Sequence, residues 1–584
     1  MGSITDHFGS AGKTRAAGPA FLLLRVLPSW RTRSPFSYES GLGWRIAALL
    51  IALAVLAPVA ALAWFSVQGS FEHWSHLLDH VLPMAFRNTA LLLLGVGVLA
   101  ASLGVGSAWL ITAYEFPSRR MLSWALLLPL AVPTYIVAFA YLDILHPIGP
   151  VQSLLRDILG YDSPRQFRLP DLRSLPGAIL LLGFVLYPYV YLSTRVMFAT
   201  QAASLLEAAR VLGASGRGAF FRVALPMARP AIAVGVSLAL LETLNDIGAS
   251  EFLGVQTLTV SIYTTWVTRS DLAGAAQIAL TMLAIVALLI LLERHGRRRQ
   301  RYASVQRSRA LQPRRLKGSA AALAFALGWL PILLGFIAPA LYLLNETFKH
   351  FHSVGAVSDQ LLLSGYNTVR IALVATAATL ACGLTVAWAA RTLRSGRQAT
   401  LPRLSARIAT AGYAIPGTVL AIGLLSPIML IDGAAAWLWQ ALGRPDPGLL
   451  LMGSGTALVC AYVIRFLAIS VGGIEAGLAR ISPSIEQASR LLGESPMGTL
   501  RRVHLPLLRP ALGAAALLVF VDTMKELPAT LLLRPVSFDT LATWLYAEAA
   551  RGTYEEGAVA ALAIVLAGLL PVILLARAQL KPTH

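Results

Sequence analysis

Charged side chains are scarce in this chain. Only 13% of its 584 residues are Asp, Glu, Lys or Arg, about half the share of a soluble domain. That excludes an ordinary soluble enzyme and a disordered polyelectrolyte alike. Cysteine is nearly missing: Cys382 and Cys460 stand alone inside apolar runs. Neither a disulfide framework nor a thiolate metal site can be built from them, and both read as small buried hydrophobes. No His-Glu-x-x-His, no Gly-x-Ser-x-Gly and no zinc-type Cys/His cluster occurs. His146, His350, His352 and His504 are scattered, and read as histidines of no set role. No catalytic residue, no metal ligand and no bound cofactor is therefore expected. Gly12-Lys13-Thr14 imitates the end of a phosphate-binding loop, but the first glycine that loop requires falls at His7, and no buried strand precedes it. Acids are the minority charge, 28 against 48 Lys and Arg, for a formal net charge of +20. The bases sit mostly in short connections between apolar runs, which points to lipid headgroups as their partner and not to nucleic acid.

Apolar residues are what the chain has in plenty: 57% of it, with a mean hydropathy of +0.68. Runs of about 20 apolar residues recur along its length, the span of a bilayer core. They fall at about 44–65, 88–113, 121–144, 177–199, 229–250 and 272–292, then at about 320–344, 367–390, 404–430, 449–470, 509–532 and 555–577. The expected fold class is all-α, a polytopic membrane protein of about twelve transmembrane helices in two parallel six-helix repeats. The first run has no small-residue cleavage site close behind it and reads as a spanning helix, not a signal peptide. Residues 1–42 read as a basic cytoplasmic tail, 43–292 as the first six-helix domain, 293–319 as a basic cytoplasmic linker and 320–584 as the second domain. Lys and Arg crowd the connections that are cytoplasmic if both termini are inside, above all Arg294 to Lys317. The opposite connections hold few bases, except 145–176, where four Arg stand against three Asp. Gly95, Gly97, Gly104 and Gly106 read as helix-packing positions, and Pro133, Pro188, Pro331 and Pro339 as kinks, not pocket residues.

One polar stretch breaks the pattern twice. Glu207 to Pro230 reads EAARVLGASGRGAFFRVALPMARP, and Gln487 to Pro510 reads QASRLLGESPMGTLRRVHLPLLRP. Gly213 answers to Gly493, Val223 to Val503, Leu225-Pro226 to Leu505-Pro506 and Arg229-Pro230 to Arg509-Pro510, all at an offset of 280. Asn88-Thr89 and Asn367-Thr368 repeat at 279, so the duplication extends upstream. With an even number of spans per half, both stretches lie on one membrane face.

These residues resemble the EAA loop of permease subunits of ABC importers: Glu-Ala-Ala, three residues, Gly, nine residues, then Ile/Val-x-Leu-Pro. The first copy matches at Glu207, Ala208, Ala209, Gly213, Val223, Leu225 and Pro226. The second keeps Ala488, Gly493, Leu505 and Pro506 but has Gln487 for Glu and Ser489 for the second Ala. In that family the loops form short coupling helices that dock into a separate ATPase. The resemblance therefore implies two ATPase copies that use the ATP, a periplasmic binding protein on the other face, and a bacterial cytoplasmic membrane location with both termini inside.

An acidic pair follows each loop: Glu242 and Asp246 in LLETLNDIGASEF, Asp522 and Glu526 in FVDTMKELPATLL, again 280 apart. Spacing i, i+4 would aim both carboxylates from one helical face. An intramembrane acid costs about 3 kcal/mol at the centre of a lone span, so these face the bundle interior or water. They read equally as lining of a translocation path and as helix anchors or caps, for instance to Lys525 or Asn245. The segments around them look like those of ferric-iron ABC importer permeases, in which two permease domains are also fused. The resemblance covers residues 44–577 and implies ferric iron as cargo. Permeases for thiamine, polyamines or organophosphonates share the loop, and a twelve-helix secondary transporter would share the span count but not the paired loops.

Overall fold

A backbone in a bilayer must satisfy its own hydrogen bonds, and a long apolar run does so as a helix. The computed structural model describes residues 42–68, 75, 79, 81–200, 209, 211–297, 313–392 and 400–580. Among these, eleven helices are long and apolar enough to cross a membrane. A bent pair, Arg119–Ala131 and Thr134–Ile144, turns by 91° at a break and makes the count twelve if taken as one crossing. The tail, Glu207, Ala208 and the middle of the basic linker lie outside the described residues.

The first half comprises α1 (Leu42–Gln68), α2 (Leu82–Ala113), α3 (Arg119–Ala125), α4 (Thr134–Ile144), α5 (Pro150–Leu159), α6 (Leu175–Thr200), α7 (Gly216–Ala219), α8 (Leu225–Asn245), α9 (Gly248–Phe252), α10 (Leu258–Tyr263) and α11 (Leu272–Arg297). The second comprises α12 (Gly318–Ile332), α13 (Ala338–Ser353), α14 (Asp359–Thr392), α15 (Thr400–Ala411), α16 (Gly417–Ala441), α17 (Leu450–Gly453), α18 (Thr456–Ala479), α19 (Pro483–Leu491), α20 (Pro496–Thr499), α21 (Leu505–Met524), α22 (Pro528–Leu533), α23 (Leu541–Arg551) and α24 (Tyr554–Leu580). Just before α12 the chain makes a two-residue parallel bridge, pairing Tyr114 with Arg314 and Glu115 with Arg315.

The halves exchange their outer helices. α1 packs on α14, α15 and α16 of the second half, and Gly423 approaches Pro58 so closely that a Cβ would stand 2.5 Å from its carbonyl oxygen. In return α12, the π turn Leu333–Ile337 and α13 lie on the first half: Gly328 faces Leu122 and Leu110, Gly335 of the turn rests against the Phe184 carbonyl and Pro129, and Tyr342 of α13 donates to Asp143 at 2.7 Å. α24 follows them, with Gly557 against Phe139 and Gly568 against Ala131. Two large cores result. One joins Leu92, Tyr187 and Phe139 to Ile332, Tyr342 and Ile564; the other joins Val55 and Leu62 to Val419, Leu467 and Met282.

The repeated motifs have structural work. Asn88 and Asn367 donate to the carbonyls of Gln256 and Asp539, each at 3.1 Å. Thr89 and Thr368 accept from the backbone N–H of Leu258 and Leu541, at 3.0 and 2.8 Å, closing the starts of α10 and α23. Each Leu-Pro follows a π turn, Phe220–Ala224 and Leu500–His504. Proline has no N–H and its ring clashes with the carbonyl four residues back. Widening the turn by one residue lets Leu225 and Leu505 reach Phe220 and Leu500 instead.

Three expectations change. Gly95, Gly97 and Gly104 do pack on neighbouring helices, but Gly106 has nothing within 4 Å of a Cβ position. The fifth and eleventh spans, expected at 229–250 and 509–532, break at Asn245 and Met524. Cys382 and Cys460 are free but only half-buried.

Candidate translocation cavity and coupling loops

The two polar loops fold alike where they are described. Gly213 has φ +84° and Gly493 φ +83°, a left-handed conformation that glycine takes without a Cβ penalty. Ser215 and Ser495 then cap α7 and α20 by accepting from Gly218 and Gly498 N–H at 3.2 and 3.0 Å. The reversal thrusts out two apolar pairs that sequence reading passed over. Val211 and Leu212 are each 87% exposed, and Leu491 and Leu492 are 88% and 85% exposed. Their signal was available: apolar residues directly before a loop glycine, at the same offset of 280.

The loops differ at their roots. Glu486, one residue before Gln487, is bound by Arg391 and lies 3.0 Å from Nε2 of His504. Arg391 also donates to the carbonyls of Leu478 and Ile481 at 2.6 and 3.0 Å, and Trp388 packs edge-on to His504. Partial burial disfavours the Glu486 carboxylate, but the hydrogen bonds and charges of Arg391 and His504 outweigh it and hold its pKa below the ordinary carboxylate value. His504, read as a histidine of no set role, is fully buried in this junction. Ala224 stands at the corresponding place in the first half, where Trp109 packs on Phe198 and Phe220 instead.

Between the halves lies a cavity of about 140 Å³ that gathers all four candidate acids. Pro133 stands at the sharp bend before α4 and also lines this cavity, so it is more than a kink. The i, i+4 pairs do not share a helical face: Glu242 and Asp522 lie in the last turn of their helices, while Asp246 and Glu526 lie beyond the break. Asp246 accepts from the Thr134 hydroxyl at 2.9 Å and from Ala249 and Ser250 N–H, closing the start of α9. Glu526 does the same for α22 through Ala529 and Thr530 N–H at 2.9 and 3.0 Å. Capping, weighed as one reading of the acids, describes this outer pair.

The inner pair is freer. Glu242 accepts from the Tyr413 hydroxyl at 3.2 Å, and Asp522 pairs with Lys525 at 2.8 Å. Contacts across the halves close the cavity: Asn245 Oδ1 accepts from Gly417 N–H at 2.7 Å and from Arg465 at 3.1 Å, and Tyr135 donates to the Lys525 carbonyl at 3.3 Å. Arg465 also holds Glu526 at 3.1 Å. A lone arginine inside the apolar run VCAYVIRFLAIS was the signal for it.

Residues 94–302 match the profile of the binding-protein-dependent transport system inner membrane component. The putative 2-aminoethylphosphonate transport system permease protein PhnV of Salmonella typhimurium is 32% identical over 230 residues, 39% of this chain and 76% of that protein. The chain belongs to this permease family. The Fe(3+)-transport system permease protein FbpB 2 of Haemophilus influenzae is 26% identical over 505 residues, 85% of this chain and 90% of that protein. The sulfate transport system permease protein CysT of Salmonella typhimurium is 26% identical over 262 residues, 43% of this chain and 91% of that protein. The protein is thus the multi-pass permease subunit of an ABC importer, of the type that fuses two permease units in one chain.

Proposed function

We propose that this permease carries a cation, ferric iron, from a periplasmic binding protein into the cytoplasm. The observation that carries the reading is the charge of the cavity. Four carboxylates line it against two cationic side chains, Arg465 and Lys525, a formal balance of −2. Both cations come from the second half, and the first half's Glu242 and Asp246 accept their hydrogen bonds from neutral donors, with Lys525 within electrostatic reach of Glu242. Such a surface opposes sulfate or a phosphonate, the cargoes in two relatives' names, and suits a hard cation bound by oxygen. Its volume of about 140 Å³ is well below the roughly 300–1,000 Å³ of pockets for drug-sized ligands, which favours a metal ion over thiamine.

The drive comes from two ATPase subunits gripping the loops 207–230 and 487–510. Burying one exposed leucine contributes roughly 2 kcal/mol, so the projecting pairs Val211-Leu212 and Leu491-Leu492 are suitable anchors for a partner groove. Closure of the ATPases draws the loops together and parts the contacts of Asn245, Gly417 and Arg465 across the halves. The cytoplasmic placement of both loops and both termini belongs to this reading. Uptake of labelled Fe³⁺, thiamine and 2-aminoethylphosphonate by cells with and without the gene tests the cargo. Loss of iron uptake alone is expected, and loss of phosphonate uptake alone would reverse the charge argument.

A further inference from the structure

We infer that Lys525 is a tethered substitute for the transported cation, seated in the acidic cavity when cargo is absent and competing cargo out of it during release. This rests on the reading of the cavity as a cation path. Four features support it. Lys525 caps the end of α21 and turns its ammonium to Asp522 at 2.8 Å, with Glu242 of the other half within electrostatic reach. Asp522 and Glu242 are equivalent positions of the two repeats, as Asp246 and Glu526 are, and the ammonium contacts the first of them, Asp522. Asp522 and Glu242 are also the acids not consumed in capping a helix. Finally, the repeat is broken here: the residue equivalent to Lys525 is Asn245, which is neutral and spends its side-chain oxygen on Gly417 and Arg465.

Arg465 cannot play the same part. It is only 11% exposed and holds Glu526, whose carboxylate is already saturated by Arg465, two backbone N–H groups and the Thr530 hydroxyl. Lys525 and Asp522, at 30% and 25% exposed, line the cavity and are less enclosed than the Arg465–Glu526 pair. An importer needs its cargo to enter and to leave. Two bare carboxylates would hold a trivalent cation long after the cavity turned inward, whereas an ammonium on a flexible stem neutralises them as soon as the cation moves.

The test uses the full chain in lipid nanodiscs and terbium(III), a redox-inert trivalent cation, as the probe. Lys525→Met keeps the length and removes the charge; Lys525→Arg keeps the charge. The inference predicts that Lys525→Met binds terbium about tenfold or more tightly than wild type, the order expected for removing a contacting unit charge. Lys525→Arg should stay near wild type, and adding Glu242→Gln to Lys525→Met should abolish the gain. Lys525→Asn, the residue the first half carries, serves if the methionine variant fails to fold. Unchanged or weaker binding in the neutral variants, or an equal gain in Lys525→Arg, overturns the inference. Iron uptake by the wild type separates the two claims. If the wild type carries no iron but the neutral variants gain affinity, the cargo assignment falls and the tethered cation stands. If iron is carried and affinity is unchanged, the reverse holds.

Discussion

Replacing Gly493 by alanine tests the docking loops through backbone energy alone. The residue sits at φ +83°, and nothing lies within 4 Å of where a Cβ would be, so no collision with the rest of the chain contributes. What remains is the intrinsic cost of the left-handed conformation for an L-residue, about 1–2 kcal/mol. At 1.4 kcal/mol per factor of ten, the docked loop shape is depleted by roughly 5- to 30-fold, and the affinity for the ATPase falls by the same factor. Asparagine tolerates this conformation better, so Gly493→Asn should lose less than alanine, and valine should lose more because β-branched residues are genuine outliers there. Gly213, at φ +84° and equally open, should give the same order. The assay is titration of purified ATPase onto the permease in nanodiscs, with transport measured alongside. Equal affinity for wild type, alanine and valine would refute the reasoning, as would asparagine losing more than alanine.

Other outcomes follow from the same geometry. Leu491→Ser with Leu492→Ser removes two exposed apolar side chains and should weaken ATPase binding by about 3–4 kcal/mol without lowering the melting temperature of the isolated permease. Glu526→Gln leaves Arg465 buried without its partner and should destabilise the protein by about 3–5 kcal/mol in chemical denaturation. Asp246→Asn, which has no arginine to orphan, should cost only about 1–2 kcal/mol in the same measurement. Glu486 has a depressed pKa in the folded chain, so its stabilisation is fully present above the ordinary carboxylate pKa and is lost as pH falls through the lowered value. Melting temperature against pH should therefore drop on the acid side in wild type and be flatter there in Glu486→Gln.

The sequence discloses what the backbone demands. Gly213 and Gly493 had to be glycine, and Pro226 and Pro506 had to widen the turn before them, so these positions left marks that survive in both repeats. The twelve apolar runs were equally plain, because bilayer thickness sets their length. The breaks at Asn245 and Met524 were not. The runs stay apolar past them, and the stop depends on carboxylates of Asp246 and Glu526 turning back to cap the next short helix. Nor does hydropathy say which half a span touches, so the crossing of α1 onto α16 and of α24 onto the first half could not be read. The cavity needed three dimensions as well, since Tyr135, Tyr413 and Arg465 lie far from the acids along the chain and meet them only because the halves face each other.

The most direct test of the account is uptake by proteoliposomes holding this permease with an ATPase and a periplasmic binding protein, supplied with labelled Fe³⁺, sulfate or 2-aminoethylphosphonate. The account predicts uptake of iron alone, only with ATP inside, and its loss when either loop glycine is replaced by valine. ATP-dependent uptake of an anion, or iron uptake that proceeds without the ATPase, would contradict it.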